Sequence, residues 1–529
     1  MKRSIALMFA VLMSTGYAAA ADHPDSVNQP PRDGCNRSDL VYLGEAAVAL
    51  EHEGGPNAAP EWVYVNDPGK PGEIRTIRTV EGSVVAIHTA GQDLFGNHRT
   101  YDLNIDLVEL DPKHPDPAFE RLVSSRNARE TPPQIHTEWE SGLVPLWVWP
   151  SPRDRVRETG SWIWDCGHWQ EGSRSIPNSD LLPGDPLGTA GVEHIGGEEA
   201  EIHPISELAT WRSPRAFVPS GRRRAVPVSQ LDVYISNQGG GAKSVIECAI
   251  APAAPANAAE RAATETGCTQ LQDVTGKDYV YDVVAPPRPS RGAKLRWRQV
   301  SHGSHHAPAA EVKVLRDRIR VTVPFKSSHA AAATALQDFG ASYYVWWEGD
   351  HSPTYRFRVS LVQLTIFNNL DGDAGQSRSN PTITPNGEWN LYLDITGKWR
   401  ALHQEMKAAG AGDLDNIPTK DMRHPYDLSR LASSEVDLTD GGSFRMFTDA
   451  RDCDLPEFTD CPAGNELDFS QHPGRAELVV PVGKLIGKTT RFSIHPVPCG
   501  ASCDEDHSDP ACNPTWCYAL TFTVRDVSR

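Results

Sequence analysis

Apolar and polar residues alternate with a period of two over many short stretches of this chain, which is typical of β-strands with one buried face. The clearest case is 101–107, where Tyr101, Leu103, Ile105 and Leu107 alternate with acidic or amide side chains. Further strands are predicted at 84–88, 134–140, 156–164 and 201–205. Five or six strands within about 130 residues favour a small closed or half-closed β-barrel.

The same alternation continues through the rest of the chain and predicts two more β-rich blocks. Strands are predicted at 230–236, 278–284, 318–325, 355–367, 388–395 and 518–524. One short helix is predicted near Trp399–Ala409, because Trp399, Leu402 and Met406 keep helical spacing. The predicted fold class is therefore mainly β, a small barrel followed by β-sandwich domains.

These patterns divide the chain into five segments. We assign 1–21 to a signal peptide, 22–75 to an irregular N-terminal segment, 76–212 to the barrel, 227–330 to a β-sandwich, and 350–529 to a second sandwich with a cysteine-rich C-terminal part. Residues 212–226 contain three consecutive arginines after Gly221 and are interpreted as an exposed linker.

The N-terminus has the features of an export signal. Lys2 and Arg3 precede an apolar run from Ile5 to Met13, and Ala20 or Ala21 provides a small residue for cleavage. The apolar run is too short to span a bilayer, and no other run approaches spanning length, so no integral membrane segment is predicted. We therefore expect a secreted or periplasmic protein.

Export changes the interpretation of the ten cysteines, because disulfides are the default in an oxidising compartment. Their number is even, no C-x-x-C pair occurs, and six of the ten fall in the C-terminal part. We expect a disulfide-stabilised protein whose pairing the sequence does not determine. The cysteines are Cys35, Cys166, Cys248, Cys268, Cys453, Cys461, Cys499, Cys503, Cys512 and Cys517.

The charge balance limits the class of partner. The net charge is -18, from 69 acidic against 51 basic residues in a chain of 529. A general nucleic-acid or anionic-membrane binder needs a basic surface, so neither class is favoured. The acidic balance leaves room for cations as partners.

Histidine and carboxylate side chains are densest in the predicted barrel. Glu201 and His203 lie two residues apart, so on a strand they share a face. Asp165 and His168 fall at a strand end, where a turn would direct both inward, and neighbouring strands would contribute further groups. The candidate set for Zn²⁺, Mn²⁺ or Fe²⁺ is His98, Asp165, His168, Glu201 and His203. Glu138 and Asp165 are the candidate catalytic carboxylates, and structural Asp–His hydrogen bonds are the alternative interpretation.

The order of short motifs across 80–212 resembles a pattern in uncharacterised secreted bacterial domains. The matching motifs are Gly82…Val84, His98, Asp102-x-Asn104, Glu138, Gly160-x-Trp162-x-x-Asp165-x-x-His168 and Glu201-x-His203-Pro204. The resemblance implies an OB-like barrel that closes on the E-x-H-P strand, and it implies no particular activity. A long insertion between His168 and Glu201 departs from the pattern.

Acidic loops in the third block form a second candidate site. Calcium takes six to eight oxygen ligands, which loops at one end of a β-sandwich can supply. The strand, acidic loop and following strand loosely resemble a C2-like sandwich, and ordinary solvated turns are the alternative. The candidate Ca²⁺ ligands are Asp371, Asp373, Glu388, Asp452 and Asp454.

Two smaller features complete the candidates. His305 and His306 fall in a segment, 301–306, that its glycine and flanking proline predict to be a loop. Trp346 and Trp347 must face opposite ways on a strand, so one could be exposed for carbohydrate stacking, although core packing is favoured.

These features support two functional hypotheses. No G-x-S-x-G, P-loop or H-E-x-x-H motif occurs. The first hypothesis is a secreted β-protein that binds divalent cations, calcium above all, with a binding or structural role towards a cation, carbohydrate or envelope partner. The alternative is a secreted metal-dependent hydrolase with its site in the barrel.

Overall fold

The computed structural model describes most of the predicted strands. The described residues are 62–65, 76–89, 103–123, 132–139, 144–165, 174–175, 192–193, 200–213, 215–219, 225–237, 274, 276–327, 337–349, 353–367, 386–387, 389–414, 417–418, 423–452, 476–496 and 518–528. The predicted signal peptide and all ten cysteines lie outside them, so the predicted disulfides stay a prediction.

Five strands of the first part of the chain close into a barrel. The elements here are β1 (Trp62–Tyr64), β2 (Ile77–Thr89), β3 (Leu103–Val108), α1 (Pro117–Glu120), β4 (Gln134–Trp139), β5 (Arg155–Asp165), β6 (Arg174–Ser175), β7 (Val192–Glu193) and β8 (Ala200–Trp211). Around the barrel, β2 pairs with β3, β3 with β4, β4 with β8, β8 with β5, and β5 with β2. Only the β4–β8 pair is parallel. This closed circuit confirms the predicted OB-like barrel.

The barrel core follows from the alternation seen in the sequence. Leu103, Ile105 and Leu107 of β3 are fully buried in one apolar cluster, together with Ile135 and Trp139 of β4. The residues between them, on the same strands, therefore point to the opposite face of the sheet. That opposite face carries the candidate site.

The second part of the chain forms two layers. Its elements are β9 (Arg215–Phe217), β10 (Val226–Ser236), β11 (Tyr279–Val284), β12 (Lys294–His305), β13 (Glu311–Val314), β14 (Arg318–Val323), a 3₁₀ turn (Phe325–Ser327) and β15 (Asp338–Glu348). One layer contains β10, β15 and β12, and it continues the barrel sheet because β10 pairs with β8. The other layer contains β11, β14 and β13. Both layers contribute side chains to one apolar cluster, which includes Val233, Tyr281, Val321 and Tyr343. This part of the chain is therefore a sandwich.

The last part of the chain is a second sandwich. Its elements are β16 (Thr354–Ile366), β17 (Asn386–Gly387), β18 (Trp389–Ile395), β19 (Trp399–Ala401), α2 (Leu402–Ala409), β20 (Ile417–Pro418), β21 (Pro425–Asp427), β22 (Ser434–Thr439), β23 (Ser443–Asp452), β24 (Ala476–Pro481), a 3₁₀ turn (Val482–Lys484), β25 (Thr489–Ile494) and β26 (Tyr518–Asp526). One layer has the order β22, β16, β26, β25 and the other has β19, β18, β23, β24. Phe357, Leu393, Phe444 and Leu520 are buried in the cluster that both layers share. The mainly β fold class is confirmed.

The predicted helix is present but begins later than its spacing suggested. Residues 399–401 form β19 and pair with β18, so the helix begins at Leu402. It ends at Ala409 and is followed by Gly410, whose φ of 61° is a left-handed conformation that glycine adopts without steric cost. Among the described residues, no helix is both long enough and apolar enough to cross a membrane.

The interpretation of 212–226 as an exposed linker is wrong at its first residues. Arg212 is buried, and its Nε donates to Asp232 Oδ2 at 2.6 Å while its Nη1 donates to Asp154 Oδ2 at 3.2 Å. Two further donations go to the backbone carbonyls of Trp147 and Trp149. The run of arginines that suggested solvent exposure, residues 222–224, lies outside the described residues, whereas Arg212 at the start of the segment joins the barrel to the sandwich.

Two further local predictions have different outcomes. The predicted loop at 301–306 is wrong, because β12 pairs with β15 as far as His305. Gly303, with a φ of 111°, lies at a bulge in this pairing and lets the strand continue. Trp346 and Trp347 are both buried, at 9% and 4% exposure, as core packing required.

Candidate metal centre

Two neighbouring strands carry a histidine and a glutamate two residues apart, in opposite order. His136 and Glu138 lie on β4, and Glu201 and His203 lie on β8. The two strands run parallel, with Thr137 opposite Ile202. Residues on either side of a paired position point to the same face, so the four side chains converge on one face of the sheet.

Strand β3 adds two polar side chains to this face. In the antiparallel register Asp106 lies opposite His136, and Asn104 lies opposite Glu138. Asp106 and Asn104 were the polar positions of the alternating run that predicted β3. The site is therefore built by strict alternation on three adjacent strands.

The His136 ring is fixed between two carboxylates. Its Nδ1 lies 2.7 Å from Asp106 Oδ1, and its Nε2 lies 2.8 Å from Glu138 Oε1. The Asn104 amide Nδ2 donates to the same Glu138 oxygen at 2.6 Å. A carboxylate on one ring nitrogen orients the other nitrogen towards a metal in many metal sites. Here Asp106 contacts Nδ1, so Nε2 faces Glu138 and Glu201.

His203 holds the two glutamates together from the other side. Its Nδ1 lies 3.0 Å from Glu201 Oε1 and 3.1 Å from Glu138 Oε2. The remaining oxygens of both carboxylates lie towards His136, whose Nε2 is 4.0 Å from Glu201 Oε2. One nitrogen and two carboxylate oxygens therefore face a common point.

The cluster is buried and carries an excess of negative charge. The exposed fraction of the His136 side chain is 19%, against 4% for Glu138 and 2% for Glu201. Burial, the largest single effect, lowers the pKa of His136, but Asp106 and Glu138 together outweigh it and hold that pKa well above its usual value. Even if His136 and His203 were both protonated, two positive charges would face the three carboxylates of Asp106, Glu138 and Glu201. Buried charge without compensation is costly, and a divalent cation would supply the compensation.

The donor atoms meet the geometric requirement for a metal ion. A nitrogen of His136 and one carboxylate oxygen each of Glu138 and Glu201 all lie within 4.8 Å of one another. Tetrahedral coordination at zinc bond lengths puts ligand atoms about 3.3 Å apart, so shifts of about 1 Å would complete the site. This buried cluster could hold a metal ion.

The structure brings together part of the residue set predicted from the sequence. Glu138, Glu201 and His203 contact one another in the structure. Glu201 and His203 lie on the same face of their strand, as their two-residue spacing predicted. Asp165 is the last residue of β5, but its side chain lies outside the described part of the chain, as do His98 and His168. The sequence analysis missed His136, although its two-residue spacing from Glu138 within a predicted strand carries the same signal as Glu201-x-His203.

The candidate calcium ligands are not tested by the described residues. Asp371, Asp373, Glu388 and Asp454 lie outside them. Asp452 is the last residue of β23, and its side chain also lies outside. The calcium site therefore stays a prediction.

A further buried carboxyl lies inside the barrel, on the core side of the sheet. Glu158 on β5 is fully buried and lies two residues from Val156, a member of the barrel's apolar cluster. Burial raises the pKa of Glu158 to about 8, against smaller opposing effects of Thr137 and His136. This carboxyl is therefore mostly neutral at pH 7.

Comparisons of this chain with protein-family models, with curated proteins and with solved structures give no match. The interpretation of the centre therefore rests on its own geometry.

Proposed function

We propose that this protein is an exported metal-binding β-protein whose OB-like barrel holds one divalent transition-metal ion. His136 Nε2, Glu138 and Glu201 would be the ligands, Asp106 would orient the imidazole, and His203 would hold the two carboxylates. The observation that supports this proposal is the convergence of one imidazole and two carboxylates in a buried cluster with excess negative charge.

The donor set favours a transition metal over calcium in this centre. An imidazole nitrogen with carboxylate oxygens suits Zn²⁺, Mn²⁺ or Fe²⁺, whereas Ca²⁺ takes six to eight oxygen ligands. Calcium remains the proposed occupant of the acidic loops of the third block, as a separate site.

Burial favours binding over catalysis. A substrate must reach the metal, and His136 is the most exposed of the three ligands, with 19% of its side chain accessible. The alternative, a metal-dependent hydrolase, is supported by the number of donors: three protein ligands leave a fourth position for water, as in catalytic zinc sites.

Export is supported by the sequence alone. The N-terminal apolar run with small residues behind it and the even number of cysteines both fit a secreted or periplasmic protein.

Metal loading tests the proposal directly. The purified mature protein would be stripped with EDTA and titrated with Zn²⁺, Mn²⁺ or Ca²⁺, with elemental analysis for stoichiometry and thermal melting for stability. We expect one tightly bound Zn²⁺ or Mn²⁺ per barrel and a higher Tm, because a ligand of the folded state stabilises it. His136→Ala and Glu201→Gln should each remove that metal.

A surface pair provides the matched control. His114 and Asp111 form an exposed His–Asp contact at 2.9 Å, the same pairing as His136 with Asp106 but in solvent. His114→Ala should bind metal as the wild type does. If the wild type binds no transition metal, or if binding survives both substitutions at the centre, the proposal is wrong. Glu201→Gln keeps the side-chain shape, so the test remains valid if His136→Ala does not fold.

Hydrolysis assays separate the two hypotheses. The metal-loaded protein would be tested with nitrophenyl esters and phosphodiesters. Turnover that is lost in Glu201→Gln and retained in His114→Ala would favour the hydrolase, and its absence in a fully loaded protein would favour binding.

A further inference from the structure

A cavity of about 670 Å³ lies where several parts of the fold meet. Its walls come from β9, from the β12 and β15 strands of the first sandwich, and from the turn between β18 and β19. Ligand sites of small molecules have volumes of about 300–1,000 Å³ and occur preferentially between domains. The size and the place of this cavity are those of a ligand site.

The charge of the cavity wall is opposite to that of the chain. Arg215, Arg298 and Lys398 line it, although the whole chain has a net charge of -18. The acidic group among its described lining residues is Asp437, which accepts two hydrogen bonds from Arg356, at 2.8 and 3.1 Å. Asp437 is therefore paired with Arg356 outside the cavity wall, and its charge also acts on Lys398 within the wall.

Two cations of the wall donate to neutral acceptors: Lys398 Nζ to the Glu435 backbone carbonyl at 2.5 Å, and Arg215 Nη1 to Gln230 Oε1 at 3.1 Å. Arg298 has no hydrogen-bond or ion-pair partner among the described residues. Burial lowers the pKa of Lys398, and the nearby Arg215 lowers it further, against smaller opposing effects of Asp437 and Glu435. Burial also lowers the pKa of Arg215, with Arg212 adding to the effect. Like charges that repel one another in a concave surface attract an anion.

Flat rings form another part of the wall. Trp147 stacks on His302 with the ring centroids 3.9 Å apart, and the His302 Nε2 lies 2.8 Å from Ser342 Oγ. Tyr344 stacks on Phe217 at 5.4 Å. Burial lowers the pKa of His302, so this imidazole is mostly neutral at pH 7 and the stacked pair presents an apolar surface.

We propose that this cavity binds a small carboxylate that carries a ring, with the carboxylate between Arg215, Arg298 and Lys398 and the ring against Trp147 and Tyr344. Sugar acids and aromatic acids share this chemistry. The cavity is separate from the metal centre, since none of the residues that line it belongs to that centre.

Calorimetric titration with two acids tests the proposal. Glucuronate represents the sugar acids and benzoate the aromatic acids, with glucose as the uncharged counterpart of glucuronate. We expect at least one acid to bind with a Kd of about 1 mM or tighter, and glucose to bind at least tenfold more weakly. Binding of glucuronate would identify the ligand as a sugar acid, and binding of benzoate would identify it as an aromatic acid.

Two strand neighbours provide a matched pair of variants. Arg296 and Arg298 are both exposed on β12 and two residues apart, but Arg296 is paired with Glu348 at 2.6 Å and does not line the cavity. Arg298→Gln should weaken acid binding about tenfold, and Arg296→Gln should leave it unchanged. Lys398→Gln should act as Arg298→Gln does, and both should retain full metal loading.

Three results would overturn the proposal: no heat of binding for either acid at about 10 mM, equal binding of glucose and glucuronate, or equal losses in Arg298→Gln and Arg296→Gln.

Discussion

Replacing Glu158 by glutamine should make the protein more stable at neutral pH and should flatten the pH dependence of its stability. The side chain is fully buried among apolar residues of the barrel, and its pKa is raised from 4.5 to about 8. A carboxyl whose folded pKa is raised favours folding most below its unfolded pKa, and this contribution is lost as pH rises towards the folded pKa. Glutamine has nearly the same shape and does not titrate.

The magnitude follows from the two pKa values. The unfolded chain releases the Glu158 proton above pH 4.5, whereas the folded chain retains it up to pH 8. Between pH 5 and 7.5 this difference removes about 3 kcal/mol from the free energy of unfolding of the wild type. Titrating groups that do not interact with Glu158 cancel in the difference between wild type and Glu158→Gln, and His136 and Glu207, which act on it through their charge, contribute smaller effects.

Urea unfolding at a series of pH values measures this difference. The midpoint and slope give the free energy of unfolding at each pH, and the variant's advantage should grow by about 3 kcal/mol from pH 5 to 7.5. Glu120→Gln, at an exposed position in α1, is the control and should give a profile parallel to the wild type. If the Glu158→Gln profile is also parallel to the wild type, Glu158 ionises in the folded barrel and the burial argument is wrong.

Three other substitutions test the packing and the centre. Gly160→Ala should lower the free energy of unfolding by about 3 kcal/mol in urea titrations, because the added Cβ would lie 2.4 Å from the Pro204 carbonyl oxygen; a change below about 1 kcal/mol would mean that the barrel adjusts. Arg212→Gln should cost about 3–5 kcal/mol in the same assay, since it leaves buried carboxylates without their cation. Asp106→Ala should weaken Zn²⁺ binding about 10- to 100-fold in chelator competition, because it frees the His136 ring, and unchanged affinity would show that Asp106 does not orient it.

Alternation along single strands was enough to predict the barrel and several of the polar side chains at its candidate metal centre. The two-residue spacing of Glu201 and His203 depends on nothing outside β8, and the alternating run at 101–107 depends only on β3. The same local rule, applied to β4, would have added His136. These predictions worked because the direction of a side chain on a strand is set by its own backbone.

Strand pairing decides which strands bring their side chains together, and the alternation of residues within one strand does not determine that pairing. The centre exists because β4 pairs in parallel with β8, although Thr137 and Ile202 are far apart in the sequence. Arg212 was misinterpreted for a related reason. The three arginines of its segment suggested solvent exposure, but Asp154, just before β5, and Asp232, on β10, make a buried arginine tolerable.

Net charge left room for a cation as partner, and the fold shows why a total of this kind is incomplete. Three carboxylates, those of Asp106, Glu138 and Glu201, meet on one face of the barrel, so the attraction for a cation there is local. Elsewhere the same acidic chain places Arg298 and Lys398 on one cavity wall, where the local sign is reversed. Loss of one proposed ligand should therefore leave the affinity for the other unchanged, because the candidate metal centre and the cavity share no residue.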